Sequence, residues 1–419
     1  MRVYKICYNK DMLLQLSHQS TVFLAKLICK GMNIMKILIA PMAAMAETSG
    51  PFSRAVALGN KLIERGHEVA FCAAKDVNYK NVEKIKNYYA PIPSPLGMPM
   101  FIGKRMLKIV QLLGVQEKKK VNSYEQVLQF VGAITYKHFS DDVFYIRKAI
   151  QDFKPDVVYA EFRIAAIVAS KLESIKVVTG FSYPVQKSFA SNPEYSTGVK
   201  KFIQENNLQS IESVLDIFNW ADLKVVPSSY ELEPIDDKNT IFVGPFSSPG
   251  IIHTKVKKNK IVAYIGNGTI SPTKVIEELT KAFEKSNYQV YIATEQVEPY
   301  KKNNINVNKR FDFSELMPES RVYINHGGQN SVMTGLIYGV PQIICPGNVF
   351  ERQYNASSIV KLGAGVLLET SDFNYETIKR IVNDFNEKTT YINNSKIAGE
   401  RLLSLGGVTK AVQVIEDLI

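Results

Sequence analysis

The residues best placed to do chemistry lie in one stretch, His326-Gly-Gly-Gln-Asn-Ser331. They follow a short apolar run, Val322 to Asn325, of buried parallel-strand type. The paired glycines let the backbone turn tightly and approach a ligand closely. A helix opening at about Gln329 aims its free N–H groups, and the positive end of its dipole, into the mouth of that turn. Such a mouth binds an anion, most often phosphate. A lone Gly-Gly is equally an ordinary strand–loop–helix link. His326, Asn330 and Ser331 crowding one helix mouth favour a phosphate site. Gly339-Val340-Pro341 ends the helix and starts the next strand, which runs to Pro346.

Other candidates lie where strands end. Glu351, Arg352 and Asn355 project from the loop and helix start beyond Pro346; together they suit the hydroxyls of a sugar or a phosphate. A second glycine loop, Gly266-Asn-Gly-Thr269, follows the strand Ile261–Ile265. In the amino-terminal half, the loop Met42–Pro51 follows a first strand, Lys36–Pro41, and Glu161 stands just past the strand Lys154–Ala160. Ligands of open parallel sheets sit outside the carboxyl ends of strands, so both are site candidates. Glu161 reads equally well as a helix-start charge favoured by the dipole. His67, between a helix end and a strand, reads as a structural histidine.

These positions need two similar scaffolds. Strand Lys36–Pro41, helix Phe52–Arg65 and strand Glu68–Cys72 form a βαβ unit, with Ala55, Leu58, Leu62 and Ile63 on one helix face. Helical spacing runs from Lys104 to Ile150, where Phe130, Tyr136, Phe139, Phe144 and Tyr145 either line an apolar pocket or pack helices. One helix is expected over Val199–Trp220. Phe246 to Lys260, rich in Ser, Pro, Gly and Lys with no apolar period, is the best linker. Beyond it the strand–loop–helix pattern repeats, with helix Pro272–Lys285, strand Gln289–Ala293 and amphipathic helices at Tyr375–Phe385, Ile392–Leu403 and Val408–Leu418. A length of 419 residues suits two such cores.

Residues 1–34 do not continue this pattern. Their apolar piece, Thr21 to Ile28, is broken by Lys26 and is too short to span a bilayer. Met35 is therefore expected to be the functional start. Without the extension the formal charge falls from +11 to +7. The lysine clusters lack interleaved aromatics and any nucleic-acid motif, which argues against a nucleic-acid partner and leaves peripheral membrane contact open. The four cysteines form no CxxC pair, which suits a reducing cytoplasm.

From Met35 to the end, the chain resembles the two-domain nucleotide-sugar glycosyltransferases of the GT-B fold. That family includes UDP-glucuronosyltransferases, plant glycosyltransferases and bacterial macrolide and antibiotic glycosyltransferases. The most specific match is Asn325-His-Gly-Gly-Gln-Asn-Ser331 with Gly339-Val-Pro341 and Glu351…Asn355-Ala356. Ala57-Leu58, Arg65-Gly-His-Glu-Val69, Val243-Gly-Pro245 and Gly363-Ala-Gly365 support it. The resemblance implies an α/β fold of two Rossmann-like parallel-sheet domains facing across a cleft. Residues 35–245 would bind the acceptor and 261–404 the donor, joined by a linker at 246–260 and followed by a C-terminal helix at 405–419. The implied reaction is inverting transfer of a hexose from a UDP- or dTDP-linked donor to a hydroxyl or amine of a small-molecule or lipid-like acceptor, without metal or cofactor.

By motif position, the resemblance implies that His326 and Ser331 hold the donor diphosphate, with Gly327, Gly328 and Asn330 forming the loop and helix mouth. Gly266 and Thr269 would touch the same phosphates, and Arg310 and Phe311 would lie beside the nucleotide base. Glu351-Arg352 stands where the family usually has the Asp-Gln that reads the donor sugar. Thr334 replaces an acidic ribose ligand, which leaves uridine and thymidine both open. The family's glycine-histidine pair, whose histidine deprotonates the acceptor, aligns with Gly50-Pro51. Glu47, Ser49 and Glu161 then stand as substitute bases, since a partly buried carboxylate can be tuned towards neutral pKa. Two other readings remain: a non-catalytic nucleotide-sugar-binding or helper protein, and a nucleotide-sugar epimerase or hydrolase.

Overall fold

A computed structural model describes residues 34–43, 50–75, 82, 85–94, 120–247, 258–265 and 270–419. The expectations for residues 1–33, Glu47, Ser49, Gly266 and Thr269, and those for 104–119 and most of the linker, lie outside the described residues.

The first sheet contains β1 (Lys36–Pro41), β2 (Glu68–Ala74), β3 (Lys86–Ala90), β4 (Val157–Glu161), β5 (Lys176–Gly180), β6 (Leu223–Val226) and β7 (Thr240–Phe242). Their order is β3-β2-β1-β4-β5-β6-β7, and every pairing is parallel. The second sheet contains β8 (Lys260–Tyr264), β9 (Gln289–Ala293), β10 (Tyr300–Lys302), β11 (Ile305–Asn308), β12 (Ser320–Asn325), β13 (Gln342–Ile344) and β14 (Gly365–Leu367). Its order is β10-β11-β9-β8-β12-β13-β14, parallel except for the β10–β11 edge pair. Each sheet reverses strand order once, between β1 and β4 and between β8 and β12. A crevice opens at such a switch point, and ligands bind there.

Helices α1 (Gly50–Glu64), α2 (Tyr124–Val131), α3 (Tyr136–Phe153), α4 (Ile164–Leu172) and α5 (Thr197–Glu205) accompany the first sheet. Helices α6 (Pro272–Phe283), α7 (Gln329–Ile337), α8 (Phe350–Lys361), α9 (Tyr375–Glu387) and α10 (Thr390–Ser404) accompany the second. Alternation along β1 sends Leu38 and Ala40 to a core shared with α3 and α4, and Ile37 and Ile39 to one shared with α1. In the second sheet Ile261 and Ala263 pack under α6 and α9, while Val262 and Tyr323 face α7 and α8. The last helix, α11 (Gly407–Glu416), returns to the first sheet and buries Ala411, Val412, Val414 and Ile415 in the α1 core. Arg65 and His67 both reach Glu416, at 2.7 and 2.8 Å, and His67 Nδ1 accepts from the Met35 amide. His67 is thus a structural residue.

Two sequence expectations change, one open alternative is decided, and three short strands come in addition. Val199–Trp220 is not one helix: α5 ends at Glu205, Asn207 takes a left-handed φ of 53°, and a Ser213–Asp216 capping box starts a separate 3-10 turn at Val214. Glu161 is the last residue of β4 and pairs with Pro41 of β1, so it does not lie beyond the strand. Phe144 is exposed, Tyr136 bonds Glu205, and Tyr145 borders an open surface hollow with Tyr88 and Tyr89; Phe139 packs edge-on against Phe202 in the core. The short strands β3, β10 and β14 lacked the length and apolar density that mark a buried strand in sequence.

Candidate functional site

The second sheet's switch point holds the glycine turn. Asn325 ends β12 in register with Tyr264 of β8. Its side chain donates to Gln342 Oε1 at 2.8 Å and accepts the Gly327 amide at 2.9 Å, which fixes the start of the turn. Gly327 takes φ 80°, a conformation that disfavours any side chain, and its carbonyl accepts from Asn355 Nδ2 at 2.9 Å. Gly328 is the N-cap of α7 and offers no capping side chain of its own.

His326 is buried beside this mouth, edge-on to Tyr264, with Nδ1 3.4 Å from the Tyr264 carbonyl oxygen. Burial, assisted by the nearby Arg352 charge, lowers its pKa to about 3, so the ring is neutral and keeps one nitrogen as acceptor. Ser331 is buried in the first turn of α7, whereas Asn330 is exposed. Glu351 accepts the backbone N–H of Gln329 at the helix mouth. Burial raises the Glu351 pKa, and Arg352 and Arg54 oppose that rise. Burial likewise lowers the Arg352 pKa, with Glu351 opposing. His326, Gly327, Gly328, Asn330, Ser331, Glu351 and Arg352 therefore gather around one helix mouth.

Arg310 and Phe311, expected beside the nucleotide base, lie away from the helix mouth itself. Arg310 is solvent-facing and bonds Glu295 at 2.9 Å, and the Phe311 ring packs on Tyr291. Among the described residues no hydrogen bond or ion pair links either to the His326 turn.

The first sheet's switch point faces this mouth. Glu161 is 1% exposed and receives Arg54 Nε at 2.6 Å and the Tyr159 hydroxyl at 2.8 Å. Its charge is matched by a buried guanidinium rather than left free. Arg54 was not singled out in the sequence, although it precedes Leu58 and Leu62 on the apolar stripe of α1, where a cation is out of place. Arg54 Nη1 crosses to α7, 3.2 Å from Gln329 Oε1 and 3.5 Å from Asn330 Oδ1. Gln329 Nε2 in turn donates to Glu233 Oε1 at 2.8 Å. Other contacts reinforce the crossing. Tyr354 of α8 stacks on Tyr183 at 4.6 Å and donates to the Leu232 carbonyl, and Val121 exchanges backbone hydrogen bonds with Asn348 and Phe350. Among the described residues no group of three or more His, Cys, Asp or Glu is arranged to hold a metal ion.

Two Rossmann-like sheets with facing switch points, one carrying a phosphate-type helix mouth, define the GT-B architecture. The chain has the fold of the calicheamicin glycosyltransferase CalG4, with TM-score 0.69, 15% identity and coverage of 92% of this chain and 98% of that one. The spinosyn rhamnosyltransferase SpnG complexed with thymidine diphosphate superposes with TM-score 0.66 and 15% identity over 91% of this chain and all of that one. Residues 293–418 match the family described as erythromycin biosynthesis protein CIII-like, C-terminal domain. In sequence, the chain is 21% identical over 394 residues to the NDP-glycosyltransferase YjiC of Bacillus subtilis (strain 168), covering 88% of this chain and 94% of that protein. An uncharacterized glycosyltransferase of Methanosarcina acetivorans is 24% identical, covering 92% and 98%. The carboxy-terminal family match and the likeness to YjiC, together with the GT-B fold of the solved structures, support the resemblance to macrolide-type glycosyltransferases. Among the described residues no helix is long and apolar enough to cross a membrane.

Proposed function

We propose that the protein is an inverting hexosyltransferase. It moves a sugar from a UDP- or dTDP-linked donor to a hydroxyl or amine of a small-molecule or lipid-like acceptor. The observation that carries this reading is the glycine-rich mouth of α7, given no side-chain cap by its own N-cap residue, beside a buried, neutral His326 at the switch point of the second sheet. Backbone N–H groups, the Ser331 hydroxyl and the imidazole would hold the diphosphate and stabilise the charge that grows as it leaves. Solved relatives complexed with thymidine diphosphate and with a spinosyn aglycone support a nucleotide-linked donor and a small-molecule acceptor.

In the transfer the acceptor oxygen or nitrogen bonds to the anomeric carbon, the bond from that carbon to the diphosphate breaks, and the acceptor's proton passes to a base. Glu161 already balances Arg54, so the base falls first to Glu47 in the loop between β1 and α1, with Ser49 as its neighbour. Glu351 and Arg352 at the helix mouth would read the donor sugar, and Gly266 and Thr269 would add to the phosphate site. Arg310 and Phe311, just beyond β11, would lie beside the nucleotide base. No metal or cofactor is assigned a part in this scheme, and the protein is assigned to the cytoplasm, with peripheral membrane contact if the acceptor is a lipid.

The test is incubation with a panel of nucleotide sugars, following nucleotide release with and without candidate acceptors. Acceptor-dependent release supports transfer, and acceptor-independent release supports hydrolysis. Glu47→Gln is expected to abolish turnover while leaving donor binding intact; unchanged turnover would remove Glu47 as the base. A second reading, a nucleotide-sugar-binding helper, is favoured by Gly50-Pro51 at the position of the family's base. It requires tight donor binding without release.

A further inference from the structure

We infer that Arg54 and Gln329 form a buried bolt between the two domains: positioning residues that hold the acceptor domain against the mouth of the donor helix. A continuous hydrogen-bonded chain carries the inference. It begins in the first sheet, where Tyr159 and Arg54 both bond Glu161. It crosses through Arg54 Nη1 to Gln329 Oε1, and returns through Gln329 Nε2 to Glu233 Oε1. It ends where the other Glu233 oxygen accepts the Ser182 hydroxyl and the Tyr183 amide, both at 2.7 Å, just beyond β5. Arg54, Glu161, Glu233 and Gln329 are all buried.

The chemistry of Gln329 makes it the joint. An amide carries an acceptor and donors on one planar group. It can therefore face a guanidinium with its oxygen and a carboxylate with its nitrogen, and those two partners fix which way it is turned. A carboxylate here would repel Glu233, an ammonium would repel Arg54, and an apolar side chain would leave both partners short of a hydrogen bond in a buried setting. Arg54 is anchored behind the joint by Glu161 and lies over the Phe162 ring at 5.3 Å. The first residue of α1 stands close as well: a Cβ on Gly50 would lie 3.6 Å from Asn330 Nδ2. Gln329 and Asn330 are also the first two residues of the helix whose mouth would take the diphosphate. Closing the domains and orienting that mouth are thus one event. The bolt orients the phosphate-binding turn and needs no contact with the substrate.

This role rests on the donor-site reading, so the experiment separates the two. Full-length wild type, Gln329→Leu, Arg54→Met, Arg54→Lys and the double variant are compared by small-angle scattering and by calorimetric titration with UDP and dTDP. Gln329→Leu leaves the Arg54–Glu161 pair intact and serves as the primary variant if Arg54→Met does not fold. It is expected to show a larger radius of gyration than wild type without nucleotide, and to bind the diphosphate about 2- to 30-fold more weakly. The double variant is expected to be no weaker than the worse single, because both changes break one bolt. Arg54→Lys keeps the charge but not the fork, and should restore part of the affinity lost in Arg54→Met. A scattering profile of Gln329→Leu identical to wild type, or losses that multiply in the double variant, would overturn the bolt. Wild type binding neither nucleotide would overturn the donor reading instead, and the scattering comparison would still decide the bolt.

Discussion

Gly328→Ala tests the geometry of the helix mouth with a single added carbon. Gly328 sits at φ −63°, ψ 144°, which alanine adopts without strain, so the backbone does not resist the change. The new Cβ would lie 2.6 Å from His326 Nε2. Ordinary contact begins near 3.4 Å, so the ring must yield by about 0.8 Å. His326 is only 5% exposed and is packed edge-on to Tyr264, so it has little room to do so. Overpacking of this kind costs about 1–3 kcal/mol of stability. The larger consequence is functional, because displacing a ligand-holding group by about 1 Å costs up to about 100-fold. UDP and dTDP are expected to bind Gly328→Ala about 10- to 100-fold more weakly than wild type, while UMP and dTMP change less, since the second phosphate is the one in the mouth. Calorimetric titration of the folded variant, with its melting curve recorded alongside, makes the comparison. Diphosphate affinity equal to wild type would refute the placement of phosphate against His326 and α7.

Three further outcomes follow from buried groups. His326 has a folded-state pKa of about 3, below its ordinary 6.5, so the unfolded chain binds the extra proton between those values. Stability therefore rises with pH across that window, by about 1.4 kcal/mol per unit, and this contribution is flat above it. Urea titrations at pH 5 and 7.5 should show His326→Gln losing about 2 kcal/mol less than wild type on acidification; equal losses would contradict the buried neutral ring. Arg163 bonds Asp142 at 3.1 Å and the carbonyls of Pro41 and Cys72 at 3.1 and 2.9 Å, tying down the ends of β1 and β2. Arg163→Met strands a buried carboxylate and is expected to cost about 3–5 kcal/mol by denaturant melt. Removing residues 405–419 uncovers the core face that Val412 and Ile415 cover. A loss on the order of 5 kcal/mol or more, comparable to a whole domain's stability, should abolish the wild-type melting transition.

What the sequence disclosed was local. The strand–turn–helix of the candidate site was legible because one apolar run, two glycines and a helix stop carry its whole geometry within about 25 residues of chain. Its observed bounds, Ser320–Asn325 and Gln329–Ile337, differ from the expectation only at the strand's start. The doubly wound architecture was legible for the same reason, because each βαβ unit announces itself by period and punctuation. Partnership across the cleft was not legible. Glu161 read equally as a site carboxylate and as a helix-start charge because its counter-ion, Arg54, lies 107 positions earlier in the chain. Gln329 passed for the start of a helix because both of its partners come from the other domain. The break after Glu205 depends on Asn207 adopting a left-handed turn, a choice that helical periodicity cannot register. The return of α11 to the first sheet is likewise a tertiary event, written only in the burial of its apolar stripe.

The most direct test of the central claim is a crystal structure of the protein bound to UDP or dTDP. A diphosphate oxygen is expected within hydrogen-bonding distance of the His326 ring and of backbone N–H groups in the first turn of α7, with the Ser331 hydroxyl beside it. A nucleotide bound elsewhere, or its phosphates turned away from this mouth, would contradict it.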